Sequence, residues 1–210
     1  MTRFMTCLAL VALSVACQGN AQPVPSPLPS PTPHTLPTAA ILQSTDVPAG
    51  LNPCLGSGPV DVYVAQLAGA DATVAARASA QWQGLRADGA VAGAISVFSA
   101  DPGACKAELG ATGNLKAITS IVAVFADPAQ ADRAWGSGVF GFIPPPVAEV
   151  VPGVARGTTT GLGLSSFTYD RPPVQLACWH RAVFVALVVV SNLDAATFKS
   201  ATAVVDARLN

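Results

Sequence analysis
Past residue 38, short runs rich in β-branched residues alternate along the chain with Ala-rich stretches of helical spacing. The Val/Tyr-rich segment 60–67 reads as a strand, and residues 73–86 as a helix stopped by Gly89. Segments 91–98 and 118–125 are short and β-branched, as strands are. Asp127-Pro128-Ala129-Gln130 carries a helix start: Asp caps, Pro fits the first helical position, and Gln reaches back to the cap. That helix runs to Trp135 and ends at Gly136. Residues 164–169, 174–180 and 183–190 read as three further strands. A last helix spans 194–209, with Phe198, Ala201, Val205 and Leu209 on one face. The pattern predicts an α+β domain over 39–210, a mainly antiparallel sheet with helices packed on one face.

Val97-Phe98-Ser99-Ala100-Asp101-Pro102 and Val124-Phe125-Ala126-Asp127-Pro128 each precede an Ala-rich stretch ending in Gly. Val189-Val190-Ser191-Asn192-Leu193-Asp194 is a looser third copy. The echo fits duplicated strand-cap-helix units, or simply the cap that any strand-to-helix turn needs. Between Gly136 and Gly163 the chain is Gly/Pro-rich, with Pro144-Pro145-Pro146 at its middle. A loop of that length in a compact domain is functional or mobile. Its apolar Phe140, Phe142 and Ile143 are the candidates for contact with a ligand or partner, or for a lid over the core edge.

The start of the chain sets an expected address. Arg3 precedes an apolar run over 4–16, and Ser14-Val15-Ala16-Cys17 places small residues before a cysteine. This matches a lipoprotein signal (1–16) with lipid on Cys17, although Ser14 stands where that motif prefers Leu, Val or Ile. Ordinary secretory cleavage near Ala21 is the alternative. The apolar run is too short to span a bilayer, which takes about 20 residues. Residues 17–38 then form a lipidated tether, since Pro23, Pro25, Pro27, Pro29, Pro31 and Pro33 hold the backbone near polyproline II. The expected location is extracytoplasmic, with the membrane as partner through the lipid.

Composition narrows the rest. Net charge is −1 and no Lys/Arg-rich run occurs, which argues against nucleic acid as a partner. In an oxidising compartment Cys54, Cys105 and Cys178 yield one disulfide and one free thiol, with three pairings open and a preference for one that uses Cys54. No cofactor or metal is expected, because paired C-x-x-C spacing is absent and the domain holds one His. Gly136-Ser137-Gly138-Val139-Phe140-Gly141 spells a dinucleotide fingerprint, but it follows a helix and runs into prolines. His180 lies two residues from Cys178 on a strand, on the same face but about 6.5–7 Å away, which is too far for a nucleophile–base pair. Enzymatic activity through His180 is the least favoured reading.

Ile41-Leu42-Gln43-Ser44-Thr45-Asp46-Val47-Pro48-Ala49-Gly50-Leu51 resembles the opening of many bacterial envelope proteins. The stretch from 184 to 209, closing on Asp206-Ala207-Arg208-Leu209, is similar to their ending. Those relatives are uncharacterised lipoproteins of Chloroflexota and actinobacterial type and, more distantly, extracellular sensor domains of actinobacterial Ser/Thr kinases. The resemblance implies an α+β envelope domain and ligand sensing, and it carries no catalytic residue onto this chain. The expected function is a noncatalytic binding or sensing module for a small apolar ligand or an envelope partner. The alternative is a structural surface lipoprotein.

Overall fold
A computed structural model describes residues 35–209, so Cys17 and the alternating prolines from Pro23 to Pro33 lie outside the described residues, whereas Pro37, within the expected tether, is buried at the start of a helix. Helix α1 (Pro37–Ala40) leads to two short strands, β1 (Asn52–Pro53) and β2 (Gly58–Pro59), then to α2 (Val60–Ala70) and α3 (Ala72–Ala87). Strands β3 (Ala90–Ser99) and β4 (Ala117–Phe125) are followed by α4 (Pro128–Ser137). After the long loop come β5 (Val154–Arg156), β6 (Ser166–Arg171), β7 (Val174–Arg181), β8 (Phe184–Ser191) and α5 (Ala195–Ala207). All strand pairs are antiparallel, in the order β1-β3-β4-β8-β7-β6-β5, with β2 also on β3. The α+β class and the antiparallel sheet are as expected.

The helices do not keep to one face. Every residue of β4 and β8 is buried. Val185, Leu187 and Val189 join Ile121 and Ala123 in one core, under Tyr63 of α2, Trp82 and Leu85 of α3, and Ala131 and Ala134 of α4. Phe184, Ala186, Val188 and Val190 join Ile118 and Val122 in a second core, under Ala40 of α1 and Phe198, Ala201 and Val205 of α5. A strand without polar alternation exposes apolar surface unless both faces are covered. Helices on one side alone would leave the second set of large side chains in water.

Residues 60–67, expected as a strand, are helical. Val60, Tyr63 and Leu67 are the buried positions of α2, at three- and four-residue spacing, while Val62 faces out. Burial of that stripe against β3 overrides the local β preference of the valines. Helix α4 runs past Gly136 to Ser137, and Gly138 caps it.

The capping signals are correct at two of three places. Asp127 accepts from the Gln130 amide (2.8 Å) and Asp194 from the Thr197 amide (2.7 Å), but the Gln130 side chain does not reach back to the cap as expected, its Oε1 being buried without a partner. That Thr197 amide is the main cause holding the Asp194 carboxyl below its usual range. Asp101 accepts from Gly103 but opens only a single 3-10 turn at Ala104–Lys106. Since α4 and α5 lie on opposite faces, no two-fold axis perpendicular to the sheet relates the two units. What repeats is the cap.

The segments 41–51 and 184–209 meet at one clasp. Arg208 Nη1 and Nη2 bond the two Asp46 oxygens at 2.8 and 2.9 Å, and Nη1 also donates to the Ile41 carbonyl at 3.0 Å. Burial alone would raise the Asp46 carboxyl, but the Arg208 and Gln43 hydrogen bonds and the Arg208 charge outweigh it. Its folded pKa therefore lies below the unfolded one, so its stabilisation is present above the unfolded pKa and lost as pH falls through the folded value. Asp46→Asn is expected to cost about 2 kcal/mol at pH 7 in urea unfolding. The gap from the parent chain should close as pH drops below about 4.

Candidate functional site
The helical cover of the first core ends before the sheet does. Helices α2, α3 and α4 cover β3, β4, β8 and β7. Beyond them, β6 and β5 are roofed on this face by the loop that follows α4, and under that roof lies an apolar cavity of about 420 Å³. Val154, Phe167, Tyr169 and Leu176 form its floor on β5, β6 and β7. The floor residues are neighbours by register: Val154 faces Tyr169, and Tyr169 faces Leu176. Gly141, Phe142, Ile143, Pro145 and Val151 form the roof. The Tyr169 hydroxyl is the one polar side-chain group in the lining. A largely apolar concavity of this size is what a small ligand fills.

The roof is held at both ends. Val139 and Phe142 exchange both backbone hydrogen bonds across Phe140 (φ 47°) and Gly141 (φ 83°). Positive φ at both central residues makes this a type I′ turn, for which Asn-Gly is the usual pair. Phe140 accepts the left-handed backbone because its ring is buried in the core, with 4% of the residue exposed. At the far end Gly153 (φ 79°) passes so close to β6 that a Cβ there would lie 2.8 Å from the Asp170 carbonyl oxygen. The run Gly136 to Gly141 thus closes a helix and turns the chain back, with no helix N-terminus to receive a phosphate.

Of the three loop residues expected to meet a ligand, Phe142 and Ile143 line the cavity. Phe140 does not; it anchors the roof from inside the core. Val147 and Val150 stand almost fully exposed on the roof's outer side, at 93% and 94%. The floor residues were missed by the sequence reading, since β5 lay hidden within the loop.

A second, better enclosed cavity of about 370 Å³ lies beside Cys54, Tyr63, Leu67 and Cys105. Its lining is more polar, including Asn52, Gln66, Ser99 and Lys106. Cys54 and Cys105 form the disulfide, and Cys178 is the free thiol. Closing 51 residues of chain is worth about 4 kcal/mol by lost chain entropy. This cross-link ties the lead-in before α2 to the turn after β3, which makes the cavity's walls part of the structural staple.

Cys178 is fully buried, and desolvation pushes its thiol well above the ordinary range. His180 turns away from it: Nε2 is 2.6 Å from the Ala182 carbonyl oxygen and Nδ1 is 3.6 Å from Asp132. Asp132 accepts a hydrogen bond from the Ser165 hydroxyl at 3.2 Å. The carboxylate thus sits between Ser165 and His180, and the imidazole has no hydroxyl or thiol in hydrogen-bond reach. Among the described residues no three His, Cys, Asp or Glu side chains gather as a metal site, and no helix is long and apolar enough to cross a membrane.

Comparison of the chain with protein-family models, with curated proteins and with solved structures yields no match.

Phe140→Ala is expected to lower stability by about 3 kcal/mol, because it empties a core position and keeps the strained backbone. Phe142→Ala, at a half-buried ring, should cost about 1–2 kcal/mol. Urea unfolding of both variants checks the order.

Proposed function
We propose that this chain is a noncatalytic binding module for a small apolar ligand, held outside the cytoplasmic membrane by lipid on Cys17. The cavity between the roof loop and the β5–β6–β7 floor supports this reading best. Its aromatic and aliphatic walls supply affinity by removing apolar surface from water, at roughly 25 cal/mol per Å². The glycine-hinged roof supplies access. Its ends are fixed at the type I′ turn and at Gly153, while Val147 and Val150 between them are solvated. An apolar ligand dilute in an aqueous compartment is best collected by a domain kept near the membrane that sheds or receives it. The proline-rich tether, the cysteine motif and the resemblance to envelope sensor domains agree with that location.

The test uses the full chain and the neutral fluorophore 1-aminoanthracene. Emission should rise and shift to the blue on binding. Val154→Trp, which fills the cavity floor, should weaken binding about tenfold or more, and Leu55→Trp, in the wall of the other cavity, should leave it intact. Loss with Leu55→Trp alone would place the site at the disulfide instead. For the anchor, Cys17→Ser should move the protein from the membrane pellet to the soluble fraction.

A further inference from the structure
Resting on the apolar-cavity reading, the geometry points to a ligand with one aliphatic chain and one anionic head, the head bound by Arg156. Arg156 lies opposite Phe167 in the β5–β6 register and two residues from Val154 on the same strand. Phe167 and Val154 both line the cavity, so alternation puts the Arg156 side chain on the same side of the sheet, next to the lining rather than within it. Its Nη1 is buried without a hydrogen-bond partner, and no carboxylate among the described residues pairs with it. A guanidinium that loses water without gaining an acceptor is costly, and a bound anion removes that cost.

The surroundings agree in sign. Trp135 sits in the last turn of α4, from which the roof departs, and it also buries an N–H that lacks an acceptor. At the opposite end of the floor the Arg171 guanidinium lies 5.7 Å from the centroid of the Tyr169 ring, a ring that lines the cavity. Arg171 has no carboxylate partner either. No acidic side chain lines the cavity. An apolar floor flanked by two cations, one of them half-buried and unpaired, selects an anionic amphiphile over a neutral or cationic one of equal chain length.

Calorimetric titration of the full chain at pH 7.5 with decanoate, decyl phosphate, decanol and decyltrimethylammonium tests this, each below its micellar concentration. Decanoate or decyl phosphate should bind about tenfold or more tightly than decanol, and the cation more weakly than decanol. The tighter of the two anions tells a free carboxylate from a phosphate head as the source. Arg156→Gln should abolish the preference for anions while leaving decanol affinity within about twofold, and Arg156→Lys should keep part of it. Should Arg156→Gln fail to fold, the four-head comparison on the parent chain decides alone. Equal affinity for decanoate and decanol overturns the assignment of Arg156 and leaves the apolar cavity standing. Failure of all four to bind overturns the cavity reading itself.

Discussion
Burial of β4 and β8 on both faces is the constraint from which the rest of the architecture follows. Two adjacent central strands with no polar face require an apolar layer above and below. The chain supplies one with α2, α3 and α4 and the other with α1 and α5, and each layer ends where its helices end. On the first face the sheet extends two strands further, through β6 to β5. A loop of glycines, prolines and a few large apolar residues covers that extension, and a loop cannot pack as closely as a helix. The cavity is what remains between a regular floor and an irregular roof.

Polar groups inside the sheet are arranged so that this two-sided burial leaves the chain's two ends joined. The Ser96 and Ser120 hydroxyls lie 2.8 Å apart on neighbouring strands, and Ser120 also accepts from the Leu42 amide. This fixes the segment after α1 against the sheet. The Arg208–Asp46 pair then locks the same segment to the end of α5, across 162 residues of sequence. The disulfide does the equivalent on the other face, tying the lead-in of α2 to the turn beyond β3. The cavity lies at the opposite end of the sheet from that disulfide, on the side where neither staple acts. Two staples at one edge and an irregular loop cover at the other is the division that the proposed binding role would use.

Much of the fold was legible because its strands are short and rich in Val and Ile, and because Asp127-Pro128 and Asp194 mark helix starts by chemistry that is local. Residues 60–67 were misread because Val60-Asp61-Val62-Tyr63-Val64 alternates with period two while its burial follows Val60, Tyr63 and Leu67. The two-sided cover has a visible signal in the unbroken apolar run from Ala182 to Val190, a buried strand with no polar face to give to water. The roof was legible as a glycine- and proline-rich loop with Phe142 and Ile143 in it. Its floor was not, since β5 is three residues long and gains its meaning only from pairing with β6. Nothing local distinguishes Arg156 from a surface arginine. Its place opposite Phe167 is a property of the register alone, as is the meeting of Arg208 with Asp46.

Methyl chemical-shift mapping of the full chain during titration with decanol tests the central claim most directly. If the roof and floor form the binding site, shifts concentrate at Ile143, Val151, Val154 and Leu176, with the methyls of Leu55 and Leu67 beside the disulfide unchanged. Shifts confined to Leu55 and Leu67, or no saturable shifts at any methyl, would contradict the account.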